Sequence, residues 1–200
     1  MDATPLLSEV AGRLNDVHLE AVLIGNAGAA LQGAPVTTVD FDFLYRKTPR
    51  NLIKLKRVAD ALHATILRPY YPASDLYRIV RDDDGLQVDF MSTIHGIRSF
   101  AGVRDRATSI EIGGASVLVA SLSDIIASKR AARLPRDLAV LDVLEAARAA
   151  EGSKRRKALD ALARESERHL RELIERWQRL PPERRTNFLR KRLAPGRSAL

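Results

Sequence analysis

Cysteine is absent from the 200-residue sequence, which excludes disulfide bonds and thiolate metal sites. Long hydrophobic runs are absent as well, since no apolar run approaches the roughly 20 residues that span a bilayer. The N-terminal sequence MDATPLLSEV lacks the basic start and apolar core of a signal peptide. The sequence therefore predicts a cytoplasmic protein in a reducing compartment, with no membrane segment.

Acidic charge is scarce in one part of the chain, its last quarter. Residues 1–150 contain 18 Lys and Arg and 18 Asp and Glu, whereas residues 151–200 contain 15 and 7. The net charge of +8 therefore belongs to the C-terminal segment. A basic extension on a neutral domain favours a polyanionic partner such as RNA, although a solvated basic helix face gives the same composition.

The apolar patterns predict an α+β (α/β) fold, in which a mixed, twisted sheet is flanked by helices. Helical spacing predicts helices over residues 4–18, 49–63, 122–133, 135–149 and 153–180, with a break at Glu151–Ser153. Short strands are predicted over residues 64–68, 76–81, 86–91, 108–112 and 115–119. The apolar stripe of the last helix is expected to pack on the core or on a partner. We divide the chain into a core of residues 1–120 and a helical region, with a basic tail, of residues 121–200.

The segment from Ala21 to Leu44 carries the most informative pattern. The pattern predicts a buried strand over Ala21–Ile24 and a tight turn at Gly25–Asn26. A short helix over Ala27–Gln32, a break at Gly33–Pro35 and a second strand over Thr37–Tyr45 are predicted to follow. Asp40 and Asp42 are two residues apart in the second strand, so their side chains are expected to project from one face.

Two carboxylates so close together repel each other, and a divalent cation between them removes that repulsion. Hard oxygen ligands suit Mg²⁺, with Mn²⁺ as an alternative. Asp89 lies in the middle of the hydrophobic strand 86–91, where an acid is costly unless it is paired or bound to metal. Asp89 is therefore either a further metal ligand or one half of an ion pair within the sheet.

The Gly25–Asn26 turn, Thr38 and the Asp40-x-Asp42 pair, in this order, resemble nucleotidyltransferases of the DNA polymerase beta type. The chain looks closest to the AbiEii/MenT-like minimal nucleotidyltransferases, which are toxins of type IV toxin–antitoxin systems. Asn26 stands where these proteins usually have Ser or Gly, and Val36 where an Arg is common.

The helix over residues 122–133 carries a second part of the resemblance. Family members place a Lys on this helix, and Lys129 matches it. An Arg-Asp or Lys-Asp step opens their next helix, and Arg136–Asp137 matches that step. Arg133 lies one turn after Lys129 on the same predicted face.

The resemblance implies an enzyme that transfers a nucleoside monophosphate from an NTP to an acceptor hydroxyl and releases pyrophosphate. The implied metal ligands are Asp40, Asp42 and Asp89, and Asp89 would also assist deprotonation of the acceptor. The implied nucleotide-binding residues are Gly25, Asn26, Thr38, Lys129 and Arg133. Asp137 would orient Lys129 or help to activate the acceptor. The implied acceptor is RNA, in particular a tRNA 3′ end, and the implied protein partner is a cognate antitoxin.

Two other interpretations fit the same sequence. A protein with this fold could act without catalysis, as a regulatory or nucleic-acid-binding module. The chain could also be a basic helical protein in which the Asp40-x-Asp42 pair arises by chance and Lys129 and Arg133 belong to a solvated surface. Convergence of the three acids on one cleft that also contains Lys129 would favour a protein with this fold, whether an enzyme or a non-catalytic module, over the basic helical protein.

Overall fold

The structure, a computed structural model, describes residues 3–38, 40–67 and 75–181. The Pro-Tyr-Tyr-Pro sequence at residues 69–72, which predicts a turn, and the basic residues near 184–192, which predict a short helix, lie outside these ranges. The side chain of Trp177 is not described either. The helices are α1 (Thr4–Asp16), α2 (Gly25–Leu31), α3 (Pro49–Ala61), α4 (Phe100–Arg106), α5 (Leu122–Ala132), α6 (Pro135–Leu138) and α7 (Leu141–Gln178). The strands are β1 (Ala21–Leu23), β2 (Phe41–Tyr45), β3 (Thr65–Leu67), β4 (Tyr77–Arg81), β5 (Leu86–Met91), β6 (Thr108–Ile112) and β7 (Ala115–Val119).

The seven strands form one mixed sheet in the order β3-β4-β5-β2-β1-β7-β6. The pairs β2–β5 and β1–β7 are parallel, and the other neighbouring pairs are antiparallel. The short antiparallel hairpins β4–β5 and β6–β7 extend the sheet on either side of the central strands. The predicted α+β class, with a mixed sheet and helices, is confirmed.

Helices cover both faces of the sheet because successive strand residues point to opposite sides. In β1, Leu23 joins an apolar cluster that includes residues of α1 and α3, whereas Val22 joins a second cluster with α4 and α5. In β2, Phe43 and Leu44 divide between the same two clusters. The central strands are therefore buried on both faces, and their ends fix the positions of the chain segments that follow them.

The predicted helix starts are supported by side-chain caps. The Thr48 hydroxyl accepts a hydrogen bond from the Asn51 amide, and Pro49 is the first residue of α3. The Ser121 hydroxyl accepts from the Asp124 amide at the start of α5, as is common for a serine before the first turn of a helix. These caps set where α5, which carries Lys129, leaves the sheet.

Two predicted boundaries are wrong in ways that affect the candidate site. The second strand was expected over residues 37–45, but β2 begins at Phe41, and Asp40 lies in a bend before it. A helix was expected over residues 135–149, but it is divided into α6 and α7. The division allows Asp137 to face Lys129 while Leu144, in the first turns of α7, is fully buried.

The predicted break at Glu151–Ser153 is also wrong, because α7 continues through Gly152. A single glycine in a helix costs only about 1 kcal/mol relative to alanine, and strong helix formers flank this one. The expected packing of the apolar stripe of this helix on the core or on a partner stays a prediction.

The chain divides into two compact units, Met1–Ala149 and Ala150–Leu200. The first unit contains the sheet and all the candidate site residues. The proposed division into a core of residues 1–120 and a helical region of residues 121–200 stays a prediction. In the described part of the chain, no helix combines the length and apolar character needed to cross a membrane.

Candidate active site

Three carboxylates that are distant in sequence meet at one end of β2 and β5. Asp42 and Asp89 are direct partners in the parallel β2–β5 pair, so their side chains leave the sheet side by side. Asp40 reaches the same place from the bend before β2. One carboxylate oxygen from each of the three residues lies within 4.8 Å of the other two. Oxygen atoms at this spacing can coordinate one divalent cation together.

Aromatic packing beside the acids holds the two strands in register. Phe43 and Phe90 are paired next to Asp42 and Asp89, and their rings stack with centroids 5.3 Å apart. Tyr45 meets the Phe90 ring edge-on at 6.0 Å. This buried cluster fixes the separation of the two carboxylates in the way that a metal site requires.

The electrostatics of the acids support a cation site. The pKa of Asp42 is raised to about 6, chiefly by burial and further by the neighbouring Asp40 and Asp89 carboxylates, while Lys129 and Arg136 oppose this rise. A carboxyl group whose charged form is disfavoured in this way gains from a cation between it and its neighbours. The donor set therefore fits a hard divalent ion such as Mg²⁺.

Asp89 is 5% exposed and is paired with Arg78 of the neighbouring strand. Arg78 Nε and Nη2 donate to the two Asp89 oxygens, each at 2.7 Å. The ion-pair alternative for this acid is therefore confirmed, and the role of Asp89 as a metal ligand stays a prediction. Each carboxylate oxygen has a second lone pair, so the Arg78 contact leaves Asp89 able to coordinate a cation.

Gly25, the first residue of α2, packs directly against Asp42. Its φ of +66° is in the left-handed region, and a Cβ at this position would lie 2.4 Å from Asp42 Oδ2. Only glycine fits both restrictions. The Ile24 amide also donates to the Asp42 main-chain oxygen at 2.8 Å, which ties the turn to β2. The predicted turn thus lies against the predicted metal ligand.

Asn26 and Thr38 organise the chain around Asp40. Asn26 Nδ2 donates to the Thr37 main-chain oxygen at 3.1 Å, and Asn26 Oδ1 is buried with no partner among the described residues. The Thr38 hydroxyl can donate to the Asp40 main-chain oxygen at 2.7 Å or to Asp40 Oδ1 at 3.1 Å. Thr38 therefore fixes the bend from which Asp40 projects.

Lys129 lies opposite the acids and forms an ion pair with Asp137. Lys129 Nζ lies 2.7 Å from Asp137 Oδ1, and both side chains are 13% exposed. Of the two roles considered for Asp137, this contact favours orientation of the lysine. Arg136 lines the same space, and its charge, like that of Lys129, lowers the pKa of Asp42.

Arg133 is the predicted site residue that the structure places elsewhere. It was expected one turn beyond Lys129 on the same face, but α5 ends at Ala132 and Arg133 caps it with a φ of +55°. The left-handed residue turns the chain away from the helix axis, and Arg133 is exposed. It does not line either of the two cavities at the acids, whereas Arg136 lines both.

The two cavities meet at the acids. The first, of about 420 Å³, lies between β1, α5 and the segment that follows β5, and we call it the apolar-walled cavity. The second, of about 470 Å³, contains Arg78, Asp40 and Asp89, and we call it the charged cavity. Both are lined by Asp42, Leu76, Met91, Lys129, Arg136 and Asp137. The site thus offers two compartments with a common centre at Asp42 and Lys129.

Sequence reasoning gave no role to Arg78 or to the segment Thr93–His95, which lines the apolar-walled cavity. A signal for Arg78 was present, because Arg78 and Asp89 are equally distant from residues 82–85, the Asp-Asp-Asp-Gly segment that connects the two predicted strands. That segment sets the register that makes them partners. Nothing comparable marks Thr93–His95, since an irregular segment has no register from which to place it.

The sheet order, the paired acids after β1–α2 and the facing lysine define the nucleotidyltransferase class of fold. The chain belongs to the family described as nucleotidyl transferase of unknown function (DUF2204), whose match covers residues 4–195. This membership shows the superfamily that the sequence motifs predicted. A comparison with curated proteins found no match.

Solved structures with the same fold are distant in sequence. The solution structure of the antibiotic-resistance factor ANT(2'')-Ia is 15% identical, covers 82% of this chain and 100% of its own, and has a TM-score of 0.51. The crystal structure of ANT(2'')-Ia with adenylyl-2''-tobramycin is 14% identical, with coverages of 82% and 97% and a TM-score of 0.52. An antigenic nucleotidyltransferase-like protein from Paracoccidioides brasiliensis is 17% identical, with coverages of 80% and 91% and a TM-score of 0.45. At these identities the likeness to ANT(2'')-Ia shows the fold alone, and no argument is drawn from the structure with a TM-score of 0.45.

Proposed function

We propose that this nucleotidyltransferase transfers a nucleoside monophosphate from an NTP to a hydroxyl group of RNA in a reaction that depends on Mg²⁺ or Mn²⁺. The observation that carries the proposal is the convergence of three acids within 4.8 Å, in a cleft that also contains Lys129. Asp40, Asp42 and Asp89 would hold the metal. A bound ion would supply positive charge that stabilises the negative charge developing on the phosphate during transfer.

The residues of the chain have separate tasks in this reaction. Lys129, held by Asp137, supplies positive charge to the triphosphate and to the departing pyrophosphate. Gly25 leaves room for the triphosphate beside Asp42, while Asn26 and Thr38 fix the turn and the bend around it. Arg136 lines the same space and takes the place that the sequence assigned to Arg133.

The chemical step exchanges one P–O bond for another. The acceptor oxygen forms a bond to the α-phosphorus, and the bond from that phosphorus to the α–β bridging oxygen breaks. The hydroxyl proton passes to the Asp89 carboxylate, and pyrophosphate leaves with the bonding electron pair. The Arg78 ion pair holds Asp89 in position to accept the proton.

The basic C-terminal segment supports a polyanionic acceptor. It carries the whole net charge of +8, while residues 1–150 are neutral. Lys and Arg side chains there would contact RNA phosphates, which position the acceptor without reading its sequence. The tRNA 3′ end as the acceptor, growth inhibition as the outcome and a cognate antitoxin as the partner follow from the AbiEii/MenT-like resemblance and form part of the proposal.

A labelling assay tests this function. Purified protein is incubated with Mg²⁺, total RNA and one of the four α-³²P-labelled NTPs at a time, and we expect one or more of them to label RNA. Asp40→Ala should abolish labelling, whereas Asp83→Ala, which removes an exposed acid of the β4–β5 turn, should retain it. Equal labelling by wild type and Asp40→Ala would refute the metal role. Expression of wild type but not Asp40→Ala should slow bacterial growth.

The Arg78–Asp89 ion pair also supports a second candidate, a regulatory module with this fold that binds nucleotide or RNA without catalysis. Two short hydrogen bonds occupy Asp89, and a cation must share it with Arg78. A module of this kind would bind RNA or NTP in the same conditions and label nothing, with or without added metal. Labelling that disappears in Asp40→Ala would exclude it.

A further inference from the structure

The second compact unit carries a row of apolar side chains along α7. Leu159, Leu162, Leu170 and Ile174 are between 47% and 62% exposed. A single exposed leucine is common on a protein surface, but a contiguous apolar patch marks an interaction surface. The spacing, the sizes and the charged neighbours of these residues indicate which partner the surface fits.

The row has the period of a coiled coil. Its positions recur at alternating intervals of four and three residues. They are Leu159, Ala163, Ser166, Leu170 and Leu173, and the series continues in the sequence with Trp177 and Leu180. A repeat of about 3.5 residues keeps such positions on one face of a helix that winds around another helix. The period therefore favours a second helix as the partner of α7, and we call the positions from Leu159 to Leu173 the heptad stripe.

The side chains of the heptad stripe differ in size in a way that makes the stripe complementary to itself. Ala163 and Ser166 are small, whereas Leu170 and Leu173 are large. If two copies of α7 run antiparallel about a two-fold axis midway between Ser166 and Leu170, Ser166 meets the partner's Leu170 and Ala163 meets the partner's Leu173. Each layer then combines one small and one large side chain, which fills the space between the helices. A parallel pair would instead face small residues with small residues and leave two layers underfilled.

The charges along α7 favour the same orientation. Residues 154–164 contain five Lys and Arg and one Asp, whereas residues 165–176 contain four Glu and three Arg. An antiparallel pair places the basic half of each helix beside the half of its partner that contains the glutamates. A parallel pair would align the two basic halves, which repel each other.

We propose that α7 forms an antiparallel, two-stranded coiled coil with α7 of a second copy of this chain, through the heptad stripe. The stripe extends over about 21 Å of helix at 1.5 Å per residue. This length is short for a coiled coil, so we expect a dimer that dissociates on dilution. The basic segments 154–157 of the two copies lie at opposite ends of the pair, outside the stripe, so the dimer is compatible with the proposed contact with RNA.

Sedimentation velocity of the full-length protein across the micromolar concentration range tests the stripe. The fraction of dimer should rise with concentration for wild type. Leu170→Glu retains a strong helix former but places a charge in the interface, so association should weaken by about tenfold or more. Ile53→Glu makes a similar change at an exposed apolar residue of α3 and should dimerise like wild type.

Two outcomes of this experiment would overturn the inference. Wild type that stays monomeric throughout would leave the first unit of the same chain or an antitoxin as the partner of the stripe. Equal dimerisation of Leu170→Glu and wild type would place the contact on another surface.

Disulfide cross-linking determines the orientation, since the chain has no cysteine of its own. Ala163→Cys and Leu173→Cys are prepared separately, one of them with an affinity tag, and are oxidised alone and after mixing. The antiparallel pair predicts a linked product that contains one chain of each variant. Each variant alone should link little, because its two cysteines would lie about 15 Å apart along the pair, too far for a disulfide. Efficient linking of Ala163→Cys alone would show a parallel pair and overturn the proposed arrangement.

Discussion

Gly25 illustrates how one residue can connect the backbone to the chemistry of the site. Alanine at this position would need a left-handed φ and would bring its Cβ to 2.4 Å from Asp42 Oδ2. We expect Gly25→Ala to lose about 1–2 kcal/mol for the φ and more for the displaced carboxylate, and to weaken Mg²⁺ binding. Urea unfolding and metal titration measure the two effects.

Gly85 provides the matched control for this substitution. Its φ is +71°, nearly that of Gly25, but a Cβ there would meet nothing within 4 Å. Gly85→Ala should therefore show the cost of the φ alone and leave metal binding unchanged. An equal loss of stability in both variants, with metal binding intact, would show that the contact with Asp42 has no consequence.

The charge of Asp42 predicts a pH-dependent effect on stability. Burial and the neighbouring acids raise its folded-state pKa from about 3.8 to about 6, so the folded protein holds this proton more tightly than the unfolded chain. In metal-free protein, the resulting loss of stability begins above about pH 4 and is complete above about pH 6.

Asp42→Asn removes this titration. We therefore expect the variant to be more stable than wild type at pH 8, by up to about 3 kcal/mol, and to show no such gain at pH 4. Urea unfolding with EDTA across this range makes the comparison. Mg²⁺ added at pH 8 should raise the Tm of wild type and not that of the variant. A gain of the same size at pH 4 and pH 8 would mean that the carboxylate charge is not its source.

Whether the position of a site residue could be predicted depends on how far the local sequence pattern determines it. Asp42 and Asp89 were predictable because each lies in a regular strand. Arg78 could have been placed opposite Asp89 from the hairpin register. Asp40 was assigned to a strand that begins only at Phe41. The misplacement of Arg133 has the same origin, since a single left-handed residue ends α5 and local spacing does not reveal it.

At the level of elements, Arg81 joins three parts of the fold around the β4–β5 hairpin. Its guanidinium donates to Glu9 of α1 at 2.8 Å, to the main-chain oxygen of Leu62 after α3 at 2.8 Å, and to Asp84 at 2.7 Å. Arg81 is 15% exposed, so these contacts are shielded from solvent more than those of a surface ion pair.

We expect Arg81→Ala to destabilise the protein by about 2 kcal/mol at pH 7. The hydrogen bond from Arg81 lowers the pKa of Glu9 below its usual value, so this stabilisation is fully present above the unfolded-state pKa and is lost as the pH falls through the lowered folded-state pKa. Unfolding by urea at pH 7 and pH 3 should show a smaller difference at pH 3. Arg13→Ala, which breaks an exposed pair with Asp16, should cost little at either pH. Equal costs for the two variants would refute the joining role.

Helices and strands whose limits are marked by residues in the sequence were predicted accurately, and those whose limits are not marked were not. The strands over residues 86–91, 108–112 and 115–119 match β5, β6 and β7, because tight turns define their limits. The division between α6 and α7 was missed because Pro135 starts a helix in the sequence while nothing marks its end. The tertiary contacts of Asp137 and Leu144 determine that end.

At the level of the whole molecule, the sequence shows an uneven distribution of charge that the fold alone would not reveal. The sheet, both cavities and the acids belong to the first compact unit, and the excess of positive charge belongs to residues 151–200. Fold class and chemistry follow from patterns within short segments. The identity of the acceptor depends instead on surfaces that could contact it, which makes charge the property to test.

The basic cluster Arg155, Arg156 and Lys157 on α7 is the described region best suited to that test, since all three side chains are exposed. Replacement of the three by Gln should weaken binding to tRNA. The slope of log K against log salt concentration should become shallower by about 2 to 3, because fewer counterions are released. Arg50, Lys56 and Arg57 are likewise exposed on α3. Their replacement by Gln removes the same charge from the neutral unit and should change the slope less. Anisotropy of labelled tRNA measures both variants. Equal slopes for the two would show that net charge alone attracts the RNA, and would refute a binding surface on α7.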